Sequence, residues 1–178
     1  MSIISQILPV DIELASAPVG FMRGTRVMTV SGWRAVEELQ AGDRIAAPCG
    51  AAVVLRSVVA RMVMRSDVQV VAVAGEARGM DRRAAALLLP LGQMIVVAGE
   101  RLAAYFGVEE ALAPVGALAN GQDLRLVSPA GPDAWYEITV ERPCLAVVEG
   151  LQVALGAAGA EACPTLSADE ARLLALAA

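Results

Sequence analysis

From Pro18 onward the chain runs as short apolar stretches broken by glycine, proline and small polar residues. Arg26 to Val30 (Arg-Val-Met-Thr-Val) predicts a strand, Ser31-Gly32 a tight turn, and Trp33 to Val36 a second short strand. Glu37 to Asp43 predicts a helical turn closed by Gly42, leading into Arg44-Ile45-Ala46, and Pro48-Cys49-Gly50 a further turn. Ala52 to Met64 is rich in valine and predicts one long bent strand or two; Val68 to Ala74 predicts another. Ala84 to Leu89 is open between a helix and a strand ending at Pro90. Met94 to Val97 predicts a buried strand, Arg101 to Phe106 a strand, and 109–112 a turn or short helix. Pro114 to Ala119 predicts a short helix with proline at its first position and Asn120-Gly121 as its stop. Leu124 to Val127 and Trp135 to Val140 flank Ser128-Pro129-Ala130-Gly131-Pro132-Asp133 and predict a loosely looped hairpin. Leu145 to Val148 predicts one more strand. Ser167 and Glu170 fit a capping box, and Leu173, Leu174 and Leu176 complete a C-terminal helix from about 168 to 176. Many short strands at close spacing argue for a mainly β domain, barrel-like or horseshoe-like, and no long-period repeat is evident.

Composition narrows the chemistry. Hydrophobic residues make up 57% of the 178 but aromatics only 3%, so the core is built from Val, Leu, Ile, Ala and Met. Histidine is absent, which removes every Ser–His or Cys–His pair, imidazole base and His-ligated metal site. The net charge of −5 and fourteen scattered arginines, with Arg82-Arg83 the only doublet, argue against nucleic acid, which demands a basic face. Cys49, Cys144 and Cys163 show neither a disulfide framework nor zinc spacing, which fits reduced thiols and a cytoplasmic setting. Cys144 and Cys163 read as small core hydrophobes, and Trp33 and Trp135 as packing anchors. The apolar stretch Ala84 to Gly99 is shorter than the roughly 20 residues a spanning helix needs and is interrupted by Pro90, Gly92 and Gln93, so membrane insertion is not expected. Asp11 and Glu13 sit where a signal peptide would be apolar. No cofactor, metal or small-molecule motif stands out.

One segment carries a family resemblance. Gly20-Phe21-Met22-Arg23-Gly24-Thr25-Arg26-Val27-Met28-Thr29, followed by Ser31-Gly32-Trp33-Arg34-Ala35-Val36-Glu37-Glu38-Leu39-Gln40-Ala41-Gly42-Asp43-Arg44-Ile45, resembles the opening of a bacterial Hedgehog/intein (Hint) domain. Weaker similarity follows in order at Leu89 to Gly99, Val115 to Gly121 and Glu137 to Gly150. The resemblance implies a curved, pseudo-twofold Hint-like β-domain over 18–160, with a lead-in at 1–17 and a helical tail at 161–178. Gly24, Gly32, Gly42 and Asp43 would form its turns, and Val27, Val36, Leu39 and Ile45 would enter its core. The family cuts its own backbone with an N-terminal Cys or Ser nucleophile and later histidines. Here the nucleophile position falls on Gly20, the hydroxyl position on Pro90, the histidine of that motif on Gln93, the late histidines on Glu137 and Pro143, and the terminal acidic and hydroxyl positions around Ala154 and Leu155. These former-site positions are expected to converge, and the expected role is a catalytically inactive binding, scaffold or assembly module with a protein partner or self-association. The alternative within the family is residual autoprocessing with a non-standard nucleophile: Cys49, Cys144, Thr25 or Ser16. An unrelated apolar oligomer or membrane-associated protein is the third reading.

Overall fold

The computed structural model describes residues 13–15, 20–64, 68–156 and 163–176. In chain order its elements are β1 (Glu13–Ala15), β2 (Phe21–Met22), β3 (Arg26–Thr29), β4 (Gly32–Ala35), β5 (Arg44–Ala46), β6 (Ala52–Val63), β7 (Val70–Val73), β8 (Leu87–Pro90), β9 (Met94–Ala98), α1 (Glu100–Phe106), β10 (Glu110–Pro114), β11 (Leu124–Val127), β12 (Asp133–Val140), β13 (Cys144–Val148), β14 (Leu151–Leu155) and α2 (Ala168–Leu176). Short 3-10 turns occupy Val36–Glu38, Glu76–Arg78 and Val115–Leu118. The domain is mainly β with a C-terminal helix, as its strand pattern predicts.

Most strands join one sheet in the order β10-β9-β14-β13-β3-β5-β6-β12-β2, with β4 added on β3 and β1 on β6; β11-β7-β8 form a second, smaller sheet. The spine is β6. Its first residues pair antiparallel with β5, most of its length pairs antiparallel with β12, and its last three residues also take β1 in parallel on the other edge. Burial along β6 falls on Val53 and Leu55, then on Ala60 and Val63, so strict alternation is lost after Leu55. The break matches a register shift opposite Thr139/Val140, and such irregularities bend a strand. Of the two readings, one long bent strand or two, the structure has the single strand. Val27, Val36, Leu39 and Ile45 are all buried in the main core, and Trp135 fills a smaller cluster with Val63 and Val70.

Several expectations need correcting. Arg101–Phe106 lies in α1, not a strand: Glu100, Leu102, Ala103 and Ala104 are good helix formers, and Gly107, left-handed at φ 69°, donates its N–H to Ala103 O and ends the helix. Residues 110–114 are strand β10, because Ala111, Leu112 and Ala113 are buried alongside β9. Strands β11 and β12 do not form a hairpin. The former pairs with β7 and the latter with β6 and β2, since a valine-rich β6 offers β12 a partner eight residues long. Ala84–Leu89 resolves to strand β8 from Leu87. Strand β14 was not anticipated. Trp33 is 43% exposed rather than buried; Arg26 lies 5.9 Å over its ring. Cys144 and Cys163 are half-buried, the former packed on the core and the latter at the chain's approach to α2. In α2 the capping box is present: Glu170 N–H donates to Ser167 Oγ (3.3 Å) and Ser167 N–H to Glu170 Oε2 (2.7 Å). Just before it, Leu112 N–H donates to Pro164 O and Leu166 N–H to Leu112 O, so the chain entering α2 covers the outer edge of β10.

One buried cation ties these layers together. The Arg78 side chain is 1% exposed. Its guanidinium donates to Glu149 O (2.7 Å), Ala85 O (2.6 Å) and Ala74 O (3.4 Å), and lies 3.9 Å from the Glu149 carboxylate. Glu149 and Gly150 form the two-residue turn between β13 and β14, both with positive φ (47° and 84°). Such a turn favours asparagine or glycine. Glutamate is held there because its carboxylate accepts from Arg26 N (2.9 Å), Nε (3.0 Å) and Nη2 (3.1 Å), while its carbonyl accepts from Arg78. Burial pushes the Glu149 carboxyl up, but these bonds from Arg26 outweigh it and hold the group below the usual carboxylate range.

Replacing Arg78 with Met leaves three carbonyls without their donor and Glu149 short of a cation. We expect Arg78→Met to lose about 3–5 kcal/mol in urea unfolding. Because the native Glu149 pKa is depressed, its contribution is complete above the ordinary glutamate pKa of about 4.3 and disappears as pH falls through the lower native value. Glu149→Gln should therefore flatten the acid limb of the stability profile.

Candidate functional site

The two ends of the sheet path face each other across a cleft of about 500 Å³. One wall is β2 and β12, contributing Phe21, Glu137, Ile138, Thr139 and Val140. The other is β9 and β14 with the end of β8 and the turn after it, contributing Pro90, Gly92, Gln93, Met94, Ala154 and Leu155. Gly20 and Gly156 complete the lining.

Four of the five sequence-predicted positions, Gly20, Pro90, Gln93 and Glu137, line this cleft together, as do Ala154 and Leu155. Pro143 stands at its margin. It lies in the turn between β12 and β13, and its Cα is 3.6 Å from where a Cβ on Gly156 would sit. Gly20, Gln93 and Pro143 thus gather in one region, with Pro143 one residue removed from the cleft surface.

Each position has a definite environment. Gly20 has φ 80°, and a Cβ built on it overlaps the carbonyl oxygen of Tyr136, comes within 2.7 Å of that carbonyl carbon and within 2.9 Å of Glu137 Cα. The backbone of β12 occupies the space a side chain would need. Gln93 follows the turn closing β8, where its N–H donates to Pro90 O. Its side-chain Nε2 donates to Ala154 O (2.9 Å) and Met94 O (3.1 Å), so the amide links the turn to β14. Glu137 is bound to Arg61 of β6, at 2.8 Å from Nε and 2.7 Å from Nη2, which neutralises the one carboxylate in the lining.

The alternative nucleophiles lie elsewhere. Cys49 is exposed in the β5–β6 turn; Cys144 and Cys163 do not line the cleft. Burial pushes the Cys144 thiol up, against a smaller opposing effect of Arg142, and burial also raises Cys163. A raised thiol is a weaker source of thiolate at neutral pH. Thr25 is buried beside Arg78 and Glu149 in a separate cavity of about 360 Å³. Ser16 lies outside the described residues. Among the described residues, no group of three His, Cys, Asp or Glu side chains could hold a metal. No described helix is long and apolar enough to cross a membrane.

Phe21, Ile138 and Thr139 were not anticipated as lining residues. The signal was available for two of them: Phe21 adjoins Gly20, and Thr139 shares a strand face with Glu137 two residues earlier. Gly92 and Gly156 carried no sequence signal beyond turn propensity.

A sheet path with a cleft between β2–β12 and β9–β14 is the arrangement to be set beside known folds. The Hint domain model matches residues 19–154, and the chain belongs to that family. The solution structure of a bacterial intein-like domain from Clostridium thermocellum is similar, with TM-score 0.53 at 15% identity, covering 77% of this chain and 97% of that one. A DnaB intein from Synechocystis sp. PCC 6803 is also similar, with TM-score 0.45 at 11% identity over 76% of this chain and 97% of that one. No curated protein matches the chain in sequence.

The cleft makes glycine at position 20 obligatory in a way Gly24 is not. Gly24 has φ 85° but nothing within 4 Å of a built Cβ. Gly24→Ala should cost only the left-handed strain of about 1–2 kcal/mol. Gly20→Ala carries that strain and a backbone overlap adding about 1–3 kcal/mol. Equal losses in denaturant titrations would contradict the closed geometry at Gly20.

Proposed function

We propose that this chain is a catalytically silent Hint-domain module, a binding, scaffold or assembly domain without self-cleavage or splicing. The observation that carries the reading is at Gly20. The aligned nucleophile position has no side chain, sits on left-handed backbone, and has its Cβ direction blocked by Tyr136. The remaining needs of backbone cleavage are unmet by side-chain chemistry in the cleft. A general base requires a group able to take a proton at neutral pH. The chain has no histidine, and Glu137 is committed to Arg61. An amide held by two carbonyls, as in Gln93, fixes structure but transfers no proton.

The segment upstream of the former junction supports the same reading. Strand β1 pairs with β6 in the register Glu13↔Arg61, Leu14↔Met62, Ala15↔Val63. Residues that a self-cutting domain would discard are here part of the sheet. The non-standard nucleophiles gain no support: Cys49 and Cys144 are not lining residues, and burial disfavours the Cys144 thiolate. On this reading the partner is another protein or a second copy of the chain, and with three free cysteines the cytoplasm is the compartment assigned.

Intact mass spectrometry tests it. Full-length protein incubated for hours with dithiothreitol or hydroxylamine should keep a single unchanged mass. A product cut between Val19 and Gly20 would sink the proposal.

A further inference from the structure

The cleft has two walls, and they differ in what their backbones offer. On the β12 wall, Arg23 N–H donates to Ala134 O, so the even-numbered residues of β12 turn their main-chain groups toward β2. The carbonyl of Tyr136, which faces Gly20, follows the same alternation. Strand β2 is only two residues long, and its pairing ends at Tyr136↔Phe21. Beyond that pair, Ile138 and Val140 continue the same edge into the cleft, and among the described residues no strand pairs with β12 there. Glu141 N–H then returns to β6 by donating to Val54 O, which leaves Val140 on the cleft side. On the opposite wall the edge is already taken at Ala154, whose carbonyl accepts from Gln93 Nε2. A ligand that reads main chain therefore reads β12.

We propose that the cleft binds an extended, uncharged peptide segment of a partner protein, added as a strand along Ile138–Val140. This rests on the silent-module reading of the same site. Three features select the ligand class. An edge with donor and acceptor groups repeating every second residue is matched by another extended backbone, the mode of strand addition. Gly20, Gly92 and Gly156 line the cleft without side chains, so a backbone can approach closely. Among the described residues the lining has no Lys or Arg and its carboxylate is paired, while Phe21, Met94, Ile138, Val140 and Leu155 supply apolar walls. That disfavours phosphate and carboxylate ligands and suits small apolar side chains. The stretch from Glu137 to Val140 is about four residues, roughly 13 Å at strand rise, and among the described residues carries no strand partner on its cleft side, with Gly156 approaching Val140 at the far end.

The probe is the neutral peptide acetyl-Thr-Val-Thr-Val-Thr-amide, titrated into full-length protein labelled with nitrogen-15. Saturable shifts are expected at the amides of Ile138 and Val140 and at Gly20 and Gly156, with slower hydrogen exchange at Ile138 and Val140. The same peptide N-methylated at alternate residues should bind at least tenfold more weakly in the methylation frame that faces β12. Gly92→Trp blocks the cleft from a site where a built Cβ meets nothing within 4 Å, so it should keep the thermal midpoint and also weaken binding at least tenfold. No shifts at millimolar peptide, shifts centred on β11, or equal binding by both methylated forms would overturn the proposal. So would concentration-dependent shifts at these amides without peptide, which would assign the edge to a second copy of this chain. A protein that stays uncut yet ignores the peptide defeats this inference alone, whereas a cut protein defeats the reading beneath it.

Discussion

A single guanidinium, that of Arg78, ties the loop after β7 and the segment before β8 to the β13–β14 turn. It lies where the loop after β7 passes under the β13–β14 turn, and its donors reach carbonyls on both sides. Taking a charged group out of water is costly and is compensated only when its donors are used and an opposite charge is near. Here both conditions hold, and Glu149 extends the connection to Arg26 on β3. The same turn fixes β14, and β14 is a wall of the cleft. The site thus depends on a cation outside it, bonded to backbone that only this fold brings together.

The sheet adds a second constraint. An open path of strands that bends along β6 carries its ends toward each other, and the cleft is what remains between them. The glycines there differ in kind. Gly24 and Gly32 serve turns with room to spare, whereas Gly20 and Gly156 have neighbours within contact distance of an added carbon.

Much of this was legible from residue order alone. The alternation in Arg26–Thr29, the valines of β6 and the Ser167–Glu170 box each specify local structure, and local signals survive into the fold. The clustering of Gly20, Pro90, Gln93 and Glu137 was reached through likeness to a family, not through periodicity. What the sequence hid was partner choice. Nothing in Leu124–Val127 tells that it joins β7 rather than Trp135–Val140, because pairing over long separations is decided by which edge is vacant. Helix α1 was hidden for another reason: one buried residue, Leu102, in seven leaves no apolar stripe to detect. Nothing in the sequence singles out Arg78 among the fourteen arginines, since burial of a charge leaves no mark on its neighbours in sequence.

The closeness of Gly20 to the Tyr136 carbonyl also bears on which residues the position admits. Changing that one codon to cysteine would place the sulfur's supporting carbon inside the main chain of β12, on a backbone conformation that resists side chains. Displacing β12 would in turn disturb its long pairing with β6. Any side chain at this point would need the strand to retreat first, so the identity of one residue and the straightness of a neighbouring strand are set together.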